Sequence, residues 1–104
     1  MLTTGCNIAV FVPTPGQIVP GETRWSLVGC ARACCLPPSA PEEIIHRACW
    51  EMREKLPTVA CVVLDCMAYG QQEVHITGET FECSVIWPAR LLGSYLNCTE
   101  EEPE

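Results

Sequence analysis

Two apolar segments of the chain contain almost no polar side chains, which predicts two buried strands. Residues 7–12 read Asn-Ile-Ala-Val-Phe-Val, and residues 58–64 read Thr-Val-Ala-Cys-Val-Val-Leu. The second segment is apolar on both faces, as expected of a central strand. Prolines at positions 13, 15 and 20 predict that no regular element follows the first strand directly.

Helical spacing is clearest between residues 41 and 56. One apolar stripe is formed by Ile45, Cys49, Met52 and Leu56. Pro41 suits the first position of a helix, and Pro57 ends it. A weaker helical spacing predicts a possible second helix over about residues 23–35, from Leu27, Ala31 and Cys34.

Residues 72–87 alternate between apolar and polar side chains, which predicts a hairpin that turns at residues 77–80. The elements together predict an α+β fold. We expect an antiparallel sheet of three or four strands, packed against the long helix over about 41–56 and the possible second helix.

Cysteine content gives the strongest compositional signal, with nine cysteines in 104 residues. A short chain this rich in cysteine is typical of disulfide-stabilised secreted proteins. We therefore expect one disulfide-stapled domain over residues 1–99 and a disordered acidic tail over 100–104. The expected framework uses Cys6, Cys30, Cys34, Cys35, Cys49, Cys61, Cys66, Cys83 and Cys98, with one unpaired or joining two chains as a disulfide-linked homodimer.

Charge excludes some classes of partner. The net charge is −7, and the six basic residues do not cluster. Nucleic-acid binding and binding to an anionic membrane surface both need a basic surface, so neither is expected. No segment has the length of a membrane span, and an extracellular location implies that a signal peptide has been removed.

Zinc binding and thiol catalysis remain as less favoured alternatives. His46 with Cys49, and Cys30 with Cys34, have spacings that could share a metal on a helix, but paired C-x-x-C knuckles are absent from the sequence. We expect no metal and no other cofactor. A catalytic cysteine needs a base that a third group orients. His46 and His75 are the only candidate bases, and no orienting group is evident for either, so an enzyme is not expected.

Two stretches share an order of cysteine, Gly-Glu turn and aromatic residue. They run from Cys6 through Gly21-Glu22-Thr23-Arg24-Trp25 to Cys30 and Cys34, and from Cys66 through Gly78-Glu79-Thr80-Phe81 to Cys83. This order resembles von Willebrand factor type C modules, including single-domain forms, while the small, acidic, cysteine-rich profile is similar to secreted effectors. The long helix and the absence of a closing cysteine pair depart from the module. The resemblance implies an extracellular protein-binding module.

The predicted function is therefore a secreted module that binds another extracellular protein as an effector, ligand or inhibitor, and the alternative is a protease inhibitor presenting a stapled loop. Apolar and aromatic candidates for partner binding cluster near the C-terminus, at Trp87, Pro88, Arg90, Leu91, Leu92 and Tyr95. Candidates for a displayed loop are Pro13, Pro15, Pro20, Arg24 and Trp25. Asn97 lies in a glycosylation sequon.

Overall fold

Strands and helices alternate along the chain, which is the pattern of an α/β fold. The computed structural model describes residues 7–87. Its elements are β1 (Asn7–Val12), α1 (Ile18–Trp25), β2 (Cys30–Cys35), α2 (Glu42–Lys55), β3 (Cys61–Leu64), α3 (Gln71–Phe81) and β4 (Ser84–Ile86). A short 3-10 turn over Pro15–Gln17 precedes α1.

The four strands form one sheet in the order β2-β1-β3-β4. All three strand pairs are parallel, with Val12 beside Cys35 and Phe11 beside Leu64. Helix α1 packs on one face, while α2 and α3 pack on the other. This is a doubly wound arrangement, in which helices cover both faces of a parallel sheet.

Strand β1 is the most deeply buried element, and it supplies both halves of the core. Phe11 packs with Leu64 and Met52 under α2 and α3, whereas Val10 packs with Val63 on the face that α1 covers. All five of these side chains are completely buried. The predicted strand over residues 7–12 is confirmed, and so is the central position of the strand predicted within 58–64.

Helix α1 forms in spite of the prolines that predict irregular chain. Pro20 lies in the first turn, where a backbone N–H has no helical partner and its absence is tolerated. Gly21 brings the helix close to the sheet, because a Cβ atom there would lie 3.1 Å from Cγ1 of Val12. The prediction of an irregular segment after β1 is therefore wrong from Pro15 onward.

The prediction of a possible second helix over residues 23–35 is also wrong. Helix α1 ends at Trp25, and the residues that suggested a longer helix do not share one face. Leu27 is exposed, while Ala31 and Cys34 pack on opposite faces of strand β2. The long helix predicted over 41–56 is confirmed as α2 (Glu42–Lys55).

The predictions of a hairpin over residues 72–87 and of an antiparallel sheet in an α+β fold are wrong as well. Residues Gln71–Phe81 form helix α3, which buries Glu73, Ile76 and Thr77 on one side. Gly78 is not a turn residue: a Cβ atom there would lie 3.3 Å from Cγ2 of Val85, so glycine allows close packing of α3 on β4. Only the alternation from Cys83 onward reflects a strand.

The expected disulfide framework is not present among residues 7–87, which contain seven of the nine cysteines, and Cys6 and Cys98 lie outside this range. The cysteines are distributed over both faces and both ends of the sheet. Cys34 and Cys49 are buried in the core as protonated thiols, where they pack as small apolar side chains. The predicted acidic tail over 100–104 lies outside the described residues. None of the helices described is long and apolar enough to cross a membrane.

Cys49 should make the protein sensitive to alkaline pH. Burial raises the pKa of this thiol from 9.0 to about 11, against a smaller lowering by a hydrogen bond with Thr80 and by Arg53. Between these two pH values the unfolded chain loses the proton and the folded chain keeps it, so stability falls as pH rises. The loss should reach about 2–3 kcal/mol at pH 11, at about 1.4 kcal/mol per unit of pKa.

Urea unfolding of the wild type and of Cys49→Ala measures this effect. The pH should be varied from about 8 to about 11, because the two pKa values of Cys49, unfolded and folded, lie in this range. The variant should be less stable at pH 8, because it leaves a small cavity, yet lose less stability as pH rises. Cys30→Ala is the matched control, since Cys30 is exposed, and it should retain the wild-type decline. Equal declines in Cys49→Ala and the wild type would contradict the prediction.

Candidate functional site

The order of the strands places a switch point at the carboxyl edge of the sheet. From β1 the chain moves outward to β2 and then returns across β1 to β3, so the order reverses between β1 and β3. The connections that leave the carboxyl ends of these two strands lead to α1 and α3 on opposite faces. In open α/β sheets, small ligands bind in the crevice at such a switch point.

Cys66 stands at this switch point, two residues after the end of β3. Its side chain is half-buried, and the backbone N–H of Ala68 donates to its sulfur at 3.3 Å. The N–H of Tyr69 donates to the Cys66 carbonyl oxygen at 3.4 Å. The chain thus makes a tight turn around the Cys66 thiol.

Tyr69 anchors this turn to the neighbouring strand connection. The buried hydroxyl of Tyr69 donates to the Leu36 carbonyl oxygen at 2.7 Å, which joins the segments after β2 and β3. Burial, followed by the nearby thiols of Cys66 and Cys35, raises the pKa of Tyr69 far above its ordinary value. The hydroxyl therefore stays protonated and fixed as a donor. Trp87 adds a third connection, since its Nε1–H donates to the Tyr69 carbonyl oxygen at 3.2 Å.

Glu73 joins the same two segments through its carboxylate. One oxygen accepts the backbone N–H of Gly70 at 2.8 Å, at the start of α3, and the other accepts the N–H of Ser39 at 3.0 Å. Ser39 has a left-handed backbone, with φ of 61°. The carboxylate is buried with both oxygens bonded, and it lies at the positive end of the helix dipole.

Asp65 supports the site from the α1 face of the sheet. Its carboxylate accepts hydrogen bonds from the guanidinium of Arg24 and, at 3.3 Å, from Nε1 of Trp25. These bonds fix the last turn of α1 to the end of β3. Arg24 remains well exposed, so part of its guanidinium faces solvent.

Burial affects the ionisation of three of the described cysteines. It raises the pKa of Cys34, Cys49 and Cys83, so these thiols stay protonated near neutral pH and react slowly. Cys35 and Cys66 are half-buried at the carboxyl edge, and Cys35 donates to the Pro13 carbonyl oxygen at 3.6 Å.

The structure brings few of the predicted site residues together. Arg24 and Trp25 meet at Asp65, whereas Pro15 and Pro20 lie in the 3-10 turn and the first turn of α1. Trp87 is half-buried and packs against the core, which makes it a weaker partner-binding candidate. The other C-terminal candidates lie outside the described residues, namely Pro88, Arg90, Leu91, Leu92, Tyr95 and the sequon residue Asn97.

The spacings considered for zinc do not form a site in the described part of the chain. Cys30 and Cys34 lie on a strand rather than on a helix. His46 is exposed beside Glu42, while Cys49 is buried. Among residues 7–87, no group of three or more His, Cys, Asp or Glu side chains could hold a metal ion.

Sequence analysis missed the residues that build the carboxyl edge. Tyr69 and Glu73 act through contacts with Leu36 and Ser39, more than thirty positions away, which no local pattern indicates. The sequence does indicate Asp65 and Cys66 as site candidates, because these polar or reactive residues directly follow a segment predicted as a buried central strand.

Comparison with known families identifies the chain. The family model described as AroM, AroM protein, matches residues 1–97, so the chain belongs to the AroM family. No curated protein and no solved structure matches it.

The resemblance to von Willebrand factor type C modules and to secreted cysteine-rich effectors is therefore wrong. The Gly-Glu motifs that suggested it lie inside helices α1 and α3, where they cannot form the turns of such a module. The description of the chain as a disulfide-bonded secreted effector or inhibitor is corrected with it. The extracellular location and the protein partner themselves stay predictions.

Replacing Glu73 should loosen the carboxyl edge. Glu73→Ala should lower the free energy of unfolding by about 2–4 kcal/mol, because two backbone N–H groups lose a charged acceptor. Glu73→Gln keeps one oxygen acceptor, so its free energy of unfolding should fall by roughly half as much as that of Glu73→Ala.

Chemical unfolding followed by tryptophan fluorescence measures these losses. Glu79→Ala is the matched control, since Glu79 is an exposed residue of the same helix, and its effect should stay within about 0.5 kcal/mol. A Glu73→Ala variant as stable as this control would show that the carboxylate does not join the two segments.

Proposed function

We propose that this AroM family chain forms a site for a small polar molecule at the carboxyl edge of its sheet, and that it acts on that molecule enzymatically through the Cys66 thiol. The observation that carries the proposal is the position of Cys66: a half-buried thiol, directly after a central strand, at the point where the strand order reverses.

Topology supports a ligand at this place. The connections after β1 and β3 diverge to opposite faces, and in open α/β sheets small ligands bind in the crevice at such a divergence. The β1 side of the crevice presents the segment from Pro13 to Gln17, where the Thr14 hydroxyl lies 3.1 Å from Oε1 of Gln17. The β3 side presents Asp65 and Cys66. Polar groups therefore stand on both sides.

The surroundings of Cys66 favour chemistry at its sulfur. The backbone N–H of Ala68 donates to the sulfur, so a hydrogen-bond donor is already in place beside the atom that would react. The thiolate is the form that attacks carbon or accepts a proton. By contrast, Cys34, Cys49 and Cys83 are held protonated by burial.

Rigid support is the second requirement of a reactive group. The Cys66 turn is held by Tyr69 bonded to Leu36, by Trp87 bonded to Tyr69, and by Glu73 at the start of α3. A reactive side chain must be held to a fraction of an ångström by its neighbours. These contacts give the Cys66 turn the fixed position that a reactive side chain requires.

The protein-binding function expected from the sequence has less support in the structure. The segment proposed as a displayed inhibitory loop is a short connection followed by helix α1. Arg24, predicted to lie in that displayed loop, lies in the last turn of the helix and pairs with Asp65. Neither feature suits an extended loop offered to a protease.

Alkylation kinetics test whether Cys66 is a reactive thiol. Exposure alone predicts that iodoacetamide labels Cys30, which is exposed, faster than the half-buried Cys66. The proposed site predicts the opposite order, measured by peptide mass spectrometry over time at neutral pH. The chain unfolded in urea is the control, and there the two thiols should react at similar rates. Slower labelling of Cys66 in the folded protein would contradict the proposal.

A panel of chloroacetamide fragments tests whether Cys66 lies in a binding site. For each fragment, the labelling rate of Cys66 is divided by that of Cys30, and the intrinsic reactivity of the fragment cancels because it affects both rates equally. A binding site should make this ratio vary by about tenfold or more across the panel, which corresponds to about 1.4 kcal/mol of selective binding. Cys66→Ser should abolish the selective labelling, and Cys30→Ser should leave it unchanged. A constant ratio would show that no site surrounds the thiol.

A further inference from the structure

We infer that Glu22 and Lys55 together close the outer edge of strand β2 against pairing with a second copy of this chain. This surface is the outer side edge of the sheet, away from Cys66, and the inference does not depend on the proposed function.

Strand β2 has a neighbour on only one side in the part of the chain that the structure describes. The N–H of Leu36 points inward and donates to Val12 of β1 at 2.7 Å. Because backbone direction alternates along a strand, the N–H and C=O groups of Ala31, Ala33 and Cys35 point outward. Such a row of unpaired groups is a template for another strand.

Both outward groups of Ala33, at the middle of this row, are occupied by charged side chains. A carboxylate oxygen of Glu22 accepts the Ala33 N–H at 2.9 Å, and Nζ of Lys55 donates to the Ala33 carbonyl oxygen at 2.6 Å. Arg32 holds the same Glu22 oxygen at 3.4 Å.

The two charged side chains reach the edge from opposite faces of the sheet. Glu22 belongs to α1 and Lys55 to the last turn of α2. An incoming strand would have to displace both of them, and their charges would lose hydration in the process. This is a strong barrier to strand addition, since charged side chains are a usual protection of sheet edges.

A second copy is the partner that this edge fits once the charges are removed. Two β2 strands can pair antiparallel about a two-fold axis at Ala33, which places Ala31 of one copy opposite Cys35 of the other. In this register Arg32 faces Cys34 rather than the second Arg32, so no like charges oppose each other. The small side chains of Ala31 and Ala33 would not hinder the approach.

Hydrogen exchange of single amides tests the closure. In Glu22→Ala the Ala33 amide should exchange roughly tenfold to a hundredfold faster than in the wild type, because it loses a charged acceptor. Glu22→Gln retains an oxygen acceptor and should keep part of the protection. The Leu36 amide is the internal control, since it bonds to β1 and should not change. Equal acceleration of both amides would indicate general destabilisation and would overturn the inference.

Self-association of a double variant tests whether Glu22 and Lys55 prevent β2 from pairing with a second copy of the chain. Glu22→Ala/Lys55→Met should form dimers or larger species that increase with concentration between about 10 and 200 µM, as measured by sedimentation velocity. Glu54→Ala/Arg47→Met is the matched control: both residues are exposed on α2 and the net charge is equally unchanged, so its sedimentation should match that of the wild type. In the associated variant, the Ala33 amide should regain slow exchange. A double variant that sediments like the wild type throughout this range, or a control that associates equally, would overturn the inference.

Discussion

The complete burial of strand β1 is the constraint on which the rest of the structure depends. Its central side chains, Ala9, Val10 and Phe11, have no exposed surface, and they point alternately to the two faces of the sheet. A strand that is apolar on both faces needs a strand on each side and a helical layer above and below. The positions of β2, β3 and the helices follow from that requirement.

The same constraint determines where chemistry can occur. With β1 in the middle, the connections that leave the carboxyl ends of β1 and β3 lead to opposite faces, and in open α/β sheets this divergence marks the crevice where small ligands bind. The segments around the crevice are then joined by a few long-range bonds, through Tyr69 and Glu73 on one face and Asp65 on the other. Each of these side chains satisfies backbone or charged groups that the strand ends would otherwise leave unpaired.

Sequence analysis identified β1, α2 and β3, because burial gives these segments a continuous or periodic apolar pattern. It failed for residues 23–35 and 72–87, where tertiary contacts override the local pattern. Gly78 looks like a turn residue but is a packing contact with Val85, and Leu27 looks like a core residue but is exposed. The pattern of 58–64, apolar on both faces, suits a parallel sheet, but the alternation over 72–87 predicted a hairpin and with it an antiparallel sheet. The contacts of the site could not be predicted, because they join residues distant in sequence.

The cysteines show why composition alone gave a disulfide framework that the described residues do not form. A high cysteine content has two physical explanations, covalent crosslinking and apolar packing, and the sequence does not distinguish them. Position in the fold does: Cys34 and Cys49 fill core space, where burial raises their pKa, while Cys66 is half-buried at the switch point, where a backbone N–H donates to its sulfur. The fold therefore separates thiols that fill the core from a thiol at the carboxyl edge, and strand β1 determines both positions because the core and the switch point are built around it.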